Sequence, residues 1–434
     1  MSMLSEFRAA LLLGTGRTLV RGLAASGDPV ARLLGVKPLA DPYPSYERVR
    51  ARGELMRSKL GFYATASHPL TEAVLRDPRF GVIASGDFVR VDWTQSPQDE
   101  HTLAHPVEHS LLALDPPEHS RLRKLATPAF TPRRLRARAP QIERTVTDFL
   151  DAIEERGEVD LIREFAVGVP VKVICDLLGI PEANQASFVA WGHVLGGTLD
   201  GARTMTERHQ VRRAVVEMGE FFDELIARRR RQPGDDVLTE LINAEPDGAP
   251  LTRKELVATA GLLLGAGFET TVNLIGNGVL ALLAHPEHKR ELIERSDYAP
   301  LVIEEVLRYD PPVQHTGRIA NEDVTIGGVH FPKGSAVVLL LAGANRDPMV
   351  FSDPGRFDPR RENNRDHLAF SSGVHYCLGA NLARMEGEIA LRRLFTRFPD
   401  LRVCGASRRN PARTLRGVAN LPVDLGSTLR SVPV

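Results

Sequence analysis

Cys377 lies in the stretch Phe370-Ser-Ser-Gly373-Val-His375-Tyr-Cys377-Leu-Gly379 and is one of three cysteines in 434 residues. Glycines on both sides let the backbone turn tightly and approach a flat ligand closely. Downstream, Leu378, Leu382, Met385 and Ile389 recur at helical spacing. A thiol at a helix start faces unpaired N–H groups and the positive end of the dipole, which favour its thiolate. A single thiolate held there is a good axial ligand for heme iron, and its electron donation favours O–O cleavage in such sites generally. The plain alternative is a structural cysteine packed as a small hydrophobe. Cys175 and Cys404 lack this setting. They sit in the apolar runs Val173-Ile-Cys-Asp-Leu-Leu178 and Leu401-Arg-Val-Cys404 and are expected in the core.

A second constellation is Leu262-Leu-Leu-Gly265-Ala266-Gly267-Phe268-Glu269-Thr270-Thr271, inside a strongly apolar helical run. Each of the glycines at 265 and 267 costs a helix interior about 1 kcal/mol relative to alanine. An acid and two threonines then interrupt an otherwise buried face. Local inconsistency of this kind marks function, and an acid beside an alcohol can relay protons. The alternative is a surface glutamate next to β-branched helix residues. Leu262, Leu263 and Ala266 share the face of Thr270 and are expected to line a pocket. Elsewhere, His119 and Arg123 stand four apart on one face of Asp115-Pro-Pro-Glu118-His119-Ser-Arg121-Leu-Arg123. Glu305-Val-Leu-Arg308 places opposite charges three apart, by itself an ordinary surface ion pair worth a few tenths of a kcal/mol.

These stretches, in this order, resemble the cytochrome P-450 family of heme-thiolate monooxygenases. The family's cysteine loop reads Phe, Gly, any, Gly, any, His or Arg, any, Cys, any, Gly. Ser371 stands where glycine is usual, and a slight loop adjustment is expected. The resemblance implies heme b, with Cys377 as the metal ligand and Phe370, Gly373, His375 and Gly379 shaping the loop around it. It implies that His119, Arg123, Arg318 and His375 hold the two propionates, with Arg121 facing elsewhere. It makes Ala266 and Gly267 the space for dioxygen, and Glu269 and Thr270 the catalytic pair. Thr270 would hydrogen-bond dioxygen or an adjacent water, and Glu269 would feed protons inward.

Glu305 and Arg308 would brace the structure together with an arginine from Pro354-Gly-Arg356-Phe357, with Arg356 as candidate partner. Val313 to Thr316 and Thr414 to Val418 match loops near the distal face. A mainly apolar lining, with Gln314, His315 and Thr316 as polar exceptions, implies a lipophilic small-molecule substrate. With no flavin or Gly-rich dinucleotide motif in the sequence, electrons are expected from a separate ferredoxin and ferredoxin reductase. The basic run Thr131-Pro-Arg133-Arg134-Leu-Arg136-Ala-Arg138 is a candidate docking segment, or simply a solvated face. A peroxide-driven oxygenase and a non-catalytic heme sensor are the alternatives. The acid–alcohol pair argues against both.

The elements that must position these residues read as mainly α with small peripheral β-sheets, a single large domain. Residues 1–36 are expected as a variable extension and 37–434 as the heme-thiolate monooxygenase domain; the resemblance itself runs from Asp41 to Val423. Ile142, Val146, Phe149, Leu150 and Ile153 make one helical face stopped by Gly157. Two more helices are expected over Phe188–Leu199 and Val211–Arg230, joined through Gly196, Gly197 and Gly201. Arg228–Arg231 reads as a solvated helix end. Strand signals occur at Phe62–Thr65, Val324–Gly328 and Ala336–Leu341. Gly81–Leu114 has no period and is expected as a long irregular loop over the substrate.

Composition is that of an ordinary globular protein, 43% hydrophobic and 25% charged, and the formal net charge of zero gives no sign of a nucleic-acid partner. Three cysteines without disulfide or zinc spacing fit a reducing cytoplasm. No window approaches 20 apolar residues, so no membrane span is expected. Ala9–Leu13, bounded by Arg8, Arg17 and Arg21, is too short to span and makes a poor signal core. An interfacial helix over residues 3–23 stays open.

Overall fold

The computed structural model describes residues 3–35, 39–82, 103–201, 204–245 and 250–426, with side chains from Gly14 onward. At the N-terminal end, α1 (Met3–Ala25) and α2 (Pro29–Leu33) precede α3 (Tyr43–Arg50) and α4 (His68–Arg76). Asp28 caps α2 by accepting from Val30 N and Ala31 N, and it also accepts from Ser58 and Lys59. Val30 is thereby held in a small core with Tyr46, Val49 and Ala64.

The helical body follows: α5 (Glu118–Ala126), α6 (Pro132–Glu154), α7 (Gly168–Leu178), α8 (Gln185–Thr198), α9 (Met205–Arg231), α10 (Val237–Ile242) and α11 (Arg253–Ala284). Then come α12 (Pro286–Glu294), α13 (Ala299–Tyr309), α14 (Leu341–Ala344) and α15 (Ala380–Arg397). The axis of the body is α11. It starts at a reciprocal capping box between Thr252 and Glu255, and α7, α8, α13 and α15 pack around it. Phe268 and Ile275 of α11 share one core with Phe188, Phe222, Leu391 and Phe395. Burial of each such side chain contributes about 1.5–3 kcal/mol. A Cβ at Gly278 would lie 2.6 Å from Leu391, so glycine is what lets α15 seat against α11. Among the described residues α11 alone is long and apolar enough to cross a membrane, but 78% of that window is buried in the protein body, as in a core helix.

The face predicted for α6 is buried, with Phe149 partly so, and the helix ends three residues before Gly157, whose φ is +68°. Gly196 and Gly197 lie inside α8 and not in a linker; Gly201, with φ +74°, makes the turn. The basic end of α9 is exposed except for Arg229, which pairs with Asp236 at 2.7 Å.

Five strands form one sheet in the order β1 (Met56–Arg57), β2 (Tyr63–Thr65), β8 (Ala336–Leu339), β5 (Thr316–Ala320), β3 (Phe80–Val82). Only β2–β8 is parallel. Its register sets Arg318 between Val337 and Val82. The hairpin β6 (Val324–Ile326) and β7 (Val329–Phe331) turns through Gly327 and Gly328, both at positive φ. The rest are small: β4 (Glu158–Asp160) with β12 (Pro422–Asp424) and β9 (Arg402–Val403), and β10 (Arg408–Arg409) with β11 (Val418–Asn420).

Two further expectations change. Gly81 and Val82 belong to β3 instead of the irregular loop, of which 83–102 lies outside the described residues. Cys175 is buried, but Cys404 is exposed, because it follows the short edge strand β9 where only the preceding Leu401 reaches the core.

Candidate functional site

The cysteine loop is held by its backbone. Gly373 has φ +68°, and a Cβ there would lie 2.5 Å from the Leu75 carbonyl of α4. Ser371, at the position where glycine is usual, has φ +63°. The serine thus holds a left-handed backbone that favours glycine. Cys377 N donates to Phe370 O at 2.9 Å, and α15 begins just past Gly379. Burial pushes the Cys377 thiol up, while the Gly379 N–H and the cations Arg123 and Arg384 pull it down; the net shift is upward. The helix start therefore favours the thiolate, as the sequence implied, although burial outweighs it in the net shift. A cation against the sulfur would reverse the balance, because a coordinating thiol deprotonates.

Beside this loop four nitrogen-bearing side chains converge. The rings of His119 (α5) and His375 lie 4.2 Å apart between centroids. Arg123 donates to Tyr376 O at 2.6 Å, and Arg318 is buried on β5. Among the described residues neither ring nitrogen of His119, nor Nε2 of His375, has a hydrogen-bond partner. Burial, then Arg318, His119 and Arg123, push His375 down to about 3. Burial likewise lowers His119, Arg123 and Arg318, the last to about 10. Asp115, 3.7 Å from His375, is the nearby anion. Orphaned buried donors of this kind call for a bound anion. The propionates of heme have the charge to satisfy them, so the residues present fit that group. Arg121 faces away and pairs with Glu255.

On α11 the pattern of burial is broken at one place. Ala266 is exposed and Gly265 half-buried, between buried Leu262–Leu264 and buried Phe268–Glu269. Thr270 Oγ1 donates to Ala266 O at 2.8 Å, which leaves the hydroxyl oxygen able to accept. Thr271 does the same to Gly267 O at 3.1 Å. Glu269 is 7% exposed, and its Oε2 has no partner among the described residues. Burial, and then Asp200, push its carboxyl up to about 7. Asp200 escaped the sequence reading. It carries no motif, and it is placed by Arg413 N and Thr414 N, which donate to it at 2.7 and 2.8 Å.

Of the three expected polar exceptions, Gln314 is engaged at both ends, accepting from Tyr46 Oη at 2.8 Å and donating to Pro311 O at 2.7 Å. His315 lies 3.3 Å from Thr414 Oγ1, and burial pushes it down to about 4. Thr316 Oγ1 accepts from Arg318 at 3.3 Å.

The Glu305–Arg308 pair is bidentate, 2.7 Å at both contacts, and fully buried. The sequence reading took it for a pair braced by Arg356. The third side chain is Arg361, 3.4 Å from Glu305, and Arg356 contributes only its carbonyl, which accepts from Arg308 at 3.0 Å. Glu304, also missed, accepts from His367 at 3.0 Å and Arg384 at 2.7 Å. Arg384 in turn covers the Phe370 ring at 4.6 Å and reaches Tyr376 Oη at 3.2 Å. Glu304 thus ties α13 to the cysteine loop through Arg384, and Glu305 ties it to the segment around Asp358 and Arg361.

The family model described as Cytochrome P450 matches residues 204–423. A putative cytochrome P450 140 of Mycobacterium tuberculosis is 41% identical over 419 residues, covering 94% of this chain and 95% of that protein. The 6-deoxyerythronolide B hydroxylase of Saccharopolyspora erythraea is 43% identical over 317 residues, covering 72% and 76%. The solved P450BioI, in complex with hexadec-9Z-enoic acid ligated acyl carrier protein, superposes with a TM-score of 0.82 at 36% identity, covering 88% of this chain and 98% of that one. With its mainly α fold and small sheets, the chain belongs to the cytochrome P450 family and is a heme b-binding P450 monooxygenase.

Proposed function

We propose that this P450 hydroxylates or epoxidises a lipophilic small molecule, with electrons delivered by a separate ferredoxin and its reductase. The observation that carries the site assignment is the pair of unsatisfied buried histidines, His119 and His375, with Arg123 and Arg318 beside them at the cysteine loop. In this reading Cys377 is the iron ligand. Arg384 over Phe370, and the tight turn at Gly373, hold its loop in register with Gly379. The monooxygenase domain spans 37–434, and the 1–36 extension adds Val30 to its edge.

Heme b, when bound, supplies oxygen activation, and thiolate donation to its iron favours O–O cleavage. The chain's own contribution is to place protons and exclude water. Thr270, with its hydrogen committed to Ala266 O, offers Oγ1 as an acceptor beside the exposed surface at Ala266. Glu269, held near neutral pH by burial, can both give and retake a proton. Leu262 and Leu263 keep that stretch apolar. Two relatives, a 6-deoxyerythronolide B hydroxylase and P450BioI in complex with hexadec-9Z-enoic acid ligated acyl carrier protein, support a lipophilic substrate.

The reduced protein with CO should show the red-shifted Soret band of thiolate-ligated heme. Cys377→Ala should abolish it, while Cys175→Ala and Cys404→Ala keep it; a band retained in Cys377→Ala would sink the assignment. Lipophilic compounds should shift the Soret band of the resting enzyme. Turnover on peroxide alone, with none from NADH and ferredoxin, would replace the electron-donor reading by the peroxide-driven one. For docking, Arg133 and Arg136 are exposed on α6, whereas Arg134 is engaged by Glu240 at 2.5 Å. Replacing Arg133 and Arg134 by Glu should slow ferredoxin-driven reduction several-fold at low salt and leave dithionite reduction unchanged. Equal rates across a low-salt series would place the partner elsewhere, since exposed charges act only within about 10 Å at 0.1 M salt.

A further inference from the structure

Helix α8 lies against α11 with two glycines at the contact, one helical turn apart. A Cβ at Gly192 would come within 2.0 Å of the Phe268 ring. A Cβ at Gly196 would lie 2.0 Å from Glu269 Oε2, 2.8 Å from its Cδ and 3.2 Å from Oε1. Real Cβ atoms do not approach so closely. The side chains of Phe268 and Glu269 therefore occupy the space that side chains at 192 and 196 would take. The next residue behaves differently, because a Cβ at Gly197 would meet nothing within 4 Å. Glycine in a helix interior costs about 1 kcal/mol relative to alanine, so Gly196 is kept against local propensity. A second, independent feature points into the same recess: Glu269 is 93% buried by its 7% exposure, and its Oε2 has no partner among the described residues.

We propose that Gly196 is a positioning residue for the relay: its missing side chain forms the recess in α8 that fixes where the Glu269 carboxyl rests. This rests on the reading of Glu269 as the proton-delivering acid. The carboxyl is set by the floor of a neighbouring helix, and any shift of α8 along α11 moves the acid with it. The surroundings of the recess are specific. Asp200, two residues past the end of α8, is the charged group that faces Glu269. Asp200 is in turn faced by Arg413, whose Nε lies 3.5 Å away, and by His315 beside Thr414. His193 of α8 sits edge-on to Phe268, with centroids 6.1 Å apart. A carboxyl forced out of the recess moves away from this apolar, acid-flanked environment. Its proton affinity should then fall toward that of an ordinary glutamate, about 4.3.

The test uses the full chain loaded with heme. It compares Gly196→Ala, Gly197→Ala, Glu269→Gln, and Gly196→Ala combined with Glu269→Asp. One readout is the infrared carboxyl band that disappears in Glu269→Gln, titrated against pH. The other is product formed per NADH consumed, as a function of pH. Gly196→Ala should lower the midpoint of the band by at least about one pH unit and reduce coupling about tenfold, as small misplacements of reacting groups do. Gly197→Ala should match the wild type on both. Shortening the acid in the double variant withdraws the carboxyl by one methylene, and should recover part of the lost coupling. That last comparison also serves if Gly196→Ala alone folds poorly, since relief of the clash should restore yield together with coupling. Midpoint and coupling in Gly196→Ala that coincide with wild type and Gly197→Ala would overturn the proposal. Wild-type coupling in Glu269→Gln would overturn the relay reading instead, and the band midpoint in Gly196→Ala would still decide whether residue 196 sets the carboxyl.

Discussion

Glu304 and Glu269 are both buried carboxylic acids on core helices, and they are handled in opposite ways. Burial pushes Glu304 up, yet His367 and Arg384 donate to it and hold it down at about 2. Burial also pushes Glu269 up, no described donor answers it, and Asp200 adds to the shift, leaving it at about 7. The first acid is permanently charged and serves as a fastening. The second sits at the midpoint of its titration in neutral solution and is suited to exchanging protons. Unpaired burial costs stability, so the difference marks where the fold gives up stability for chemistry. Next to Glu304, Glu305 extends the contrast, since it is fully buried yet satisfied by Arg308, Arg361 and the Asp358 N–H.

The largest effect should come from breaking the paired side. Arg308→Ala removes the bidentate partner of Glu305, leaving it only Arg361 and the Asp358 N–H, and also releases the carbonyls of Asn345, Pro354 and Arg356, each bound at 3.0 Å. Removing one member of a buried pair costs about 3–5 kcal/mol. The variant should express with little bound heme and a strongly lowered urea midpoint. Heme content and midpoint near wild type would show that the α13 network is dispensable. On the unpaired side, Thr270→Ala should keep heme and substrate binding but release peroxide in place of product. Loss of a positioned proton-transfer group costs about 100-fold, or about 2.7 kcal/mol of barrier. Unchanged coupling of NADH to product would take Thr270 out of the relay.

Acid titration separates the two glutamates more finely. The folded carboxyl of Glu304 lies below its unfolded value of about 4.3. Its contribution is therefore fully present above about pH 4.3 and fades as pH falls toward 2. Glu304→Gln should flatten the decline of stability across that window, by on the order of 2 kcal/mol, measured as urea midpoints at successive pH values. For Glu269 the sign reverses. Its folded pKa is raised to about 7, so its stabilising proton is fully present below about pH 4.3 and its contribution is lost as pH climbs from there to about 7; Glu269→Gln should remove that loss. Parallel pH slopes for wild type and both variants would contradict the contrast.

The chemistry of the site was legible because its signals are local. The Cys377 loop and the Glu269-Thr270 run each lie within ten residues, and helical spacing alone put His119 and Arg123 on one face. What escaped depends on how distant elements meet. The partner of Glu305 was sought at Arg356, but Arg361, five residues further, is the side chain the fold brings in. Gly196 was taken for a linker glycine, because its purpose shows only once Glu269 arrives from another helix. Cys404 was placed in the core on the strength of Leu401, whereas a two-residue edge strand buries almost nothing. Strands of two or three residues, such as β9 and β10, carry no readable period.

The smallest effect is expected in the cysteine loop itself, and it asks whether strain there is stored for a purpose. Ser371 and Gly373 both sit at positive φ, +63° and +68°, but for different reasons. At Gly373 a side chain is excluded outright by the Leu75 carbonyl, whereas Ser371 tolerates its side chain and bears the left-handed backbone. That conformation costs an L-residue about 1–2 kcal/mol. Glycine would remove the cost, but would gain freedom in the unfolded chain worth about 0.4–1 kcal/mol. Ser371→Gly should therefore stabilise by on the order of 0.5 kcal/mol, seen as a small rise in urea midpoint with the CO-bound Soret band unmoved. Gly373→Ala should do the opposite and lose heme. A Ser371→Gly variant that is less stable than wild type would mean that the buried Ser371 hydroxyl, which has no partner among the described residues, makes up for the strain through a contact formed only when heme is bound. Comparing the heme-free and heme-loaded midpoints of that variant would separate the two cases, because backbone strain acts in both forms and such a contact acts in one.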